Sequence, residues 1–315
     1  MASSRSVVLA ALVANGAIAV LKFVGYLLTG SPAMLSETYH SISDTGNQVF
    51  LLIGIRFGAR DATRAHPFGY GKAQFFYSFL VSVLLFGIAG WESAKHGYEA
   101  LTHGGVHRTS DPVNLFGVAF DPVFVNYAVL VGAIVFETYA FKKAYDAITK
   151  QMAEQGWSTF REAFRKTSDV TTLTALTEDA IALGGAGIAL FGVYLTRVTG
   201  NSLYDAASAL LIGLMLMGFA VALAWENKRL LIGESVPKEK ERELREIVAG
   251  GDGVVEVVDF RTVYFGPNRV LDAADVAFDP VINADEIDER ITRLEDDVIA
   301  ANADVRKVYI EPETA

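Results

Sequence analysis

Glu37-Thr-Tyr-His40-Ser-Ile-Ser-Asp44-Thr-Gly-Asn47 sits inside a run, Pro32 to Phe57, that is otherwise largely apolar. At spacings of three, four and three, Glu37, His40, Asp44 and Asn47 share one face of a helix. An imidazole and a carboxylate four residues apart can point at one divalent cation, supplying one nitrogen and one or two oxygens. Ionisable groups inside a membrane helix are costly, and they face a bundle interior, a water-filled cavity or each other. This stretch therefore predicts a membrane helix whose polar face carries chemistry.

Working outward, a span needs roughly 20 mostly apolar residues. Six stretches qualify, at about 6–29, 33–57, 73–101, 122–147, 170–196 and 203–232. The third is weakest at its start, where Gln74 and Ser78 suggest a cavity-facing or interfacial turn. The first is longer than the core of a signal peptide and reads as a retained helix. Lys and Arg orient the spans. Arg56, Arg60, Arg64 and Lys72 lie between segments two and three. Lys142, Lys143, Lys150, Arg161, Arg165 and Lys166 lie between four and five, and Lys228 and Arg229 follow six. The opposite loops hold only Arg108 and Arg197. Both termini are thus expected in the cytoplasm, in a multi-pass protein of the cell membrane. Between segments four and five, Ala153–Lys166 reads as an amphipathic interfacial helix with Trp157, Phe160 and Phe164 on one side.

The hydrophobic content of 51% and mean hydropathy of +0.30 arise by segregation. From Pro237 onward acidic residues outnumber basic ones two to one and carry the whole net charge of −10. An acidic chain with pI 5.0 is a poor nucleic-acid binder, because the phosphate backbone demands clustered Lys and Arg. The absence of Cys excludes disulfides and thiolate metal sites. The tail reads as a helix over Lys238–Val248, then strands Val254–Phe265 and Arg269–Phe278 joined by Gly266-Pro-Asn. A helix capped by Asn283 and Glu286 follows, with Ile287, Ile291, Leu294 and Val298 as its apolar stripe, and Val305–Ile310 closes as a strand. The expected fold is an α-helical membrane protein of six transmembrane helices over residues 1–234, with a cytoplasmic α+β (αββαβ) domain over 235–315.

His40 and Asp44 need partners, and segment five offers Glu178-Asp179. Adjacent carboxylates diverge by about 100° on a helix, so only one can aim straight at a neighbouring face. Gly184, Gly185 and Gly187 nearby permit close approach. If segments two and five pack together, His40, Asp44 and Asp179 can surround a cation, with Glu178, Glu37 or Asn47 completing the shell. The plainer alternative is a polar network that only fixes helix register, though such networks seldom need four ionisable groups.

Ser36-Glu-Thr-Tyr-His40-Ser-Ile-Ser-Asp44, the loop His66-Pro-Phe-Gly-Tyr-Gly-Lys72, Asp179 and the αββαβ tail together resemble the cation diffusion facilitator family. The likeness covers nearly the whole chain, and Ser-Glu-x-x-His-Ser-x-x-Asp-Thr-x-Asn-Gln with Glu178-Asp179 is similar to the zinc-transporter-nine branch. The resemblance implies a homodimer that exports divalent metal in exchange for protons, by alternating access at a tetrahedral site between helices two and five. His40 and Asp44 match both helix-two ligands, and Asp179 matches the helix-five aspartate. The usual helix-five histidine is Ala175 here, so Glu178 or water substitutes. More oxygen and less nitrogen favours harder ions such as Mn²⁺ or Fe²⁺, whereas affinity order favours Zn²⁺. No cofactor beyond the transported ion is implied.

The family's accessory sites look degraded. His66 stands alone, with Tyr70 where a second histidine often sits, and the tail has no His at all. Asp272, Asp275, Asp279, Asp296 and Asp297 read as a solvated acidic face, leaving the tail as a dimerisation domain. Asp205 reads as the cap of segment six. Glu137 either lines the path or pairs with a segment-five group. Glu92, Lys95 and His96 form an exposed cluster, and His103 and His107 are loop residues. Two rivals remain: a membrane-embedded metallohydrolase with Glu178 as base, for which no nucleophile or oxyanion motif is present, and a non-transporting scaffold that recruits partners through its acidic tail.

Overall fold

A computed structural model describes residues 2–103, 113–115, 118–160, 162–163 and 170–313. Helix α1 (Ala2–Thr29) turns through Gly30, at φ +63°, directly into α2 (Pro32–Gly58). Proline suits a first helical position because its missing N–H has no partner there in any case. α3 (Ala73–Leu84), a π-helical stretch (Leu85–Gly90) and α4 (Trp91–Thr102) run on continuously. A small antiparallel hairpin, β1 (Val113–Leu115) with β2 (Val118–Phe120), follows. α5 (Val123–Gln155), α6 (Val170–Thr199) and α7 (Leu203–Ile232) complete the apolar helices. Among the described residues four helices are long and apolar enough to cross a membrane: Ala73–Thr102, Val123–Glu154, Leu176–Thr199 and Leu203–Ile232. Asn15–Thr29 of α1 is apolar but shorter. α2 is not among the four, and it carries the polar face that lowers its hydropathy.

Ala153–Lys166 does not form the expected separate helix at its start. Ala153–Gln155 continue α5, and Gly156, left-handed at φ +70°, ends it while its N–H reaches Met152 O. Trp157 packs with Ile148, Met152 and Ala163, and Phe160 stacks on Tyr145 at 5.3 Å. Phe164 lies outside the described residues. Asp205, in the first turn of α7, also reaches across to α2. It is buried, and its Oδ1 accepts from Ser31 Oγ (2.9 Å) and Ala33 N (3.3 Å), so a carboxylate of α7 caps α2. Negative charge at a helix N-terminus meets orphan amides and the positive end of the dipole.

The chain forms two compact units, one of Met1–Phe50 with Leu80–Ala224, the other of Leu51–Phe79 with Trp225–Ala315. In the first, α5 packs along α1 and α6, and Met34, Leu85, Leu130, Val193, Ile212 and Leu216 are in its core. α4 and α7 touch backbone to backbone. A Cβ on Gly97 would lie 2.3 Å from Leu210 N, and one on Gly213 would lie 2.3 Å from Ala94 N. In lipid, where apolar surface alone does not drive helices together, such close fit supplies the packing energy.

The second unit holds α8 (Lys238–Ala249), β3 (Val254–Gly266), β4 (Arg269–Phe278), α9 (Ala284–Ala301) and β5 (Val305–Glu313). The sheet order is β3-β4-β5, with β3 antiparallel and β5 parallel to β4. Leu244 and Val248 of α8 and Leu294 and Val298 of α9 pack on Val257, Val270, Val276 and Val308. Asn283 caps α9 by accepting from Glu286 N at 3.0 Å. The 59–72 loop rests on the hairpin turn: Phe68 and Phe265 rings lie 6.3 Å apart, and a Cβ on Gly71 would sit 2.5 Å from Phe265 O. Lys72 Nζ donates to Leu231 O at 3.4 Å.

One member of the expected solvated acidic face is misplaced. Asp272 is fully buried on β4, between Thr262 of β3 and Val308 of β5, with neither carboxyl oxygen hydrogen-bonded among the described residues. The strand alternates, and Asp272 shares the inward face with Val270, Ala274 and Val276. Burial pushes its carboxyl up to about 7. The folded state then holds a proton that the unfolded chain releases near pH 4, so stability falls as pH rises from about 4 to about 7 and levels off above. At about 1.4 kcal/mol per pH unit the loss is at most about 4 kcal/mol. Thermal unfolding of the full chain in detergent should therefore show a Tm that falls from about pH 5 to about pH 7 and then levels off. Asp272→Asn should flatten that slope, and an unchanged slope in the variant would assign it to another group.

Candidate metal centre

The pitch of α2 puts Glu37, His40, Asp44 and Asn47 on one face, as the spacing predicts. His40 Nδ1 lies 3.5 Å from Asp44 Oδ1. His40 is buried, whereas the Asp44 side chain is 19% exposed. Neither ring nitrogen of His40 has a hydrogen-bond partner among the described residues. Buried polar atoms left without partners cost free energy, and two such nitrogens beside a carboxylate leave room in their hydrogen-bonding for a further ligand.

One turn on, Asn47 Nδ2 donates to Glu178 Oε1 at 3.2 Å and joins α2 to α6. Asp179, the next residue, is half-buried and acts electrostatically on Asp44, Glu137 and Glu178. Glu137 of α5 shares that field with His40 and Asp44. Among the described residues, however, no three His, Asp or Glu side chains converge closely enough to hold a cation. The structure pairs His40 with Asp44 and Asn47 with Glu178. It does not bring Asp179 onto His40 in chelating geometry.

Glu37 is committed elsewhere. Its Oε2 accepts from Lys22 Nζ at 2.7 Å, with the side chains 0% and 3% exposed. Its Oε1 has no hydrogen bond and faces Gly185 of α6, where a Cβ would lie 2.7 Å away. Lys22 was not singled out from the sequence. The signal was present, since it is the sole charged residue between Ser6 and Thr29.

The remaining described histidines have other neighbours. His66 is exposed and stacks on Tyr70 at 4.3 Å, within a turn in which the 63 and 66 backbones bridge. His96 Nδ1 lies 3.8 Å from Glu92 Oε2, and His103 Nδ1 lies 2.9 Å from Thr102 Oγ1. His107 lies outside the described residues.

The Asn47–Glu178 bond predicts a thermodynamic coupling between α2 and α6. A double-mutant cycle of Asn47→Ala and Glu178→Ala, read by unfolding in detergent, should give a coupling of about 1 kcal/mol. Strict additivity would show that the bond does not join the helices.

Comparison with known proteins places the chain in a defined setting. Residues 8–232 match the family model described as the cation efflux transmembrane domain. The proton-coupled zinc antiporter SLC30A9 of Xenopus laevis mitochondria is 30% identical over 279 residues, 89% of this chain and 47% of that protein. Metal tolerance protein C4 of Arabidopsis thaliana is 26% identical over 87% of this chain and 57% of its own length. Magnetosome protein MamM of Magnetospirillum gryphiswaldense is 26% identical over 91% of this chain and 82% of its own. The chain thus spans about half the length of the antiporter and plant proteins it matches.

Proposed function

The chain belongs to the cation efflux family, and from that premise we propose that it exports a divalent metal ion from the cytoplasm in exchange for protons. The observation that carries the reading is His40: a buried imidazole with both nitrogens unpartnered, 3.5 Å from Asp44, on the polar face of an apolar helix. Catalysis of a chemical step is not needed to account for it, and the relatives above are named for antiport and metal tolerance.

In this reading six helices span the cell membrane with both termini cytoplasmic, residues 1–234 form the transport domain, and residues 235–315 form a cytoplasmic domain through which two copies pair. His40, Asp44 and Asp179 bind the ion, and Glu178 or Asn47 completes the shell. Glu37 is withdrawn from the ligand set by Lys22. Closing the shell requires α6 to shift relative to α2, bringing Asp179 toward His40.

Exchange follows from competition. Metal ligands must be deprotonated, so each proton taken by His40 or a carboxylate removes a donor from the ion. Histidine titrates near neutral pH and makes the competition effective there. Zn²⁺ is the first candidate, supported by affinity order and by the zinc named in the amphibian relative. Ala175 removes a nitrogen donor and leaves a carboxylate-rich site, which favours Mn²⁺ or Fe²⁺ as the second reading.

Metal flux into proteoliposomes under an imposed pH gradient tests this directly. Zn²⁺ flux should follow the gradient, exceed that of Mn²⁺ and Fe²⁺, and fall by roughly 100-fold or more in His40→Ala and in Asp179→Ala. Undiminished uptake by either variant would remove that residue from the path. No flux of any of the three ions through intact protein would leave the scaffold reading in place.

A further inference from the structure

The polar face of α2 is closed at one end and open at the other. Ser31, Ala33, Met34, Ser36, Glu37 and His40 are all buried, whereas no residue from Ile42 to Ile53 is. On α6, Glu178 and Asp179 are partly exposed, and Ala186, Ala189 and Val193 are completely buried. Burial is therefore complete on the Gly30 side of His40 and only partial on its Asn47 side.

The deepest layer of that seal is ionic. One turn beyond His40, the Lys22 ammonium of α1 holds Glu37 of α2 at 2.7 Å, and the other Glu37 oxygen lies against the bare backbone of Gly185 in α6. Three helices meet at this level through one carboxylate. Further layers above it are neutral or capping contacts, Asn126 to Thr29 (2.9 Å) and Ser31 to Asp205 (2.9 Å). Opening the Gly30 end must separate or hydrate the buried pair, because neither charge is stable alone in an apolar interior.

We propose that the Lys22–Glu37 ion pair is the lock of the outer gate. Formed, it draws α1 and α2 over His40 against α6 and keeps the centre open to the Asn47 end only. Parted, it lets the Gly30 end open. Lys22 is thus a positioning residue: it never touches the transported ion, but it decides which side the ligands face. The inference rests on the proposed alternating access for its orientation, with the Gly30 end facing outside.

The chain contains no cysteine, so single introduced thiols report access without background. Ala189→Cys places a reporter in the sealed half of α6, and Ser43→Cys places one on the open half of α2. In sealed vesicles of known orientation, an impermeant thiol reagent outside should leave Ala189→Cys unmodified in the parent. Adding Lys22→Met, or the nearly isosteric Glu37→Gln, should raise the outside rate at least about tenfold and lower the rate at Ser43→Cys from the cytoplasmic side. The charge exchange Lys22→Glu with Glu37→Lys should restore both rates. Unchanged outside labelling in both single variants would overturn the lock, and so would a rise at both reporters together, which marks mere loosening. The readout needs no metal, so the two readings fail separately. Labelling that switches without any flux removes only the transport proposal, and flux with labelling indifferent to Lys22 removes only the lock.

Discussion

Ionisable side chains inside apolar helices cannot be left to water, and the helical part of this protein is arranged around that constraint. Several of these charges are met by a specific group from another helix. Lys22 meets Glu37, Asn47 meets Glu178, and Asp205 meets the start of α2. His40 is the exception, with a carboxylate near and both ring nitrogens unsatisfied. Under the proposed transport, that open imidazole is the position the ion would take.

The polar face of α2 was legible in the sequence because it depends only on helical pitch. The partners were legible only in part. Glu178 and Asp179 announced themselves as adjacent carboxylates in an apolar run, but nothing in one dimension says which of two side chains 100° apart meets Asn47. Lys22 went unread because its role depends on the tight Gly30-Ser31 turn, which sets two residues fifteen apart at the same depth. The sequence places Asp205 at the start of its own helix, and its reach to α2 is a tertiary fact that local pattern does not carry.

In the tail the alternation that marks β4 as a strand also places Asp272 inward, yet its chemical type argued for solvent. Pattern and residue type disagreed, and pattern prevailed at the cost of a strongly perturbed carboxyl. The π-helical stretch at Leu85–Gly90 and the β1–β2 hairpin left no signal in the reading, as neither alters hydrophobic periodicity over a useful window. The loop glycines read as a family motif acquire a mechanical reason here, since the hairpin carbonyl of Phe265 occupies the space a side chain on Gly71 would need.

Where α4 and α7 cross, amide nitrogens of one helix face bare Cα atoms of the other at Gly97 and Gly213. Interlocked main chains have no rotamers to rearrange, and sliding by even part of a residue would drive atoms into one another. These two helices are accordingly a strut. Under the proposed transport, any rocking falls to the other helices, and α1, α2 and α6 are joined by one ammonium, two carboxylates and one amide.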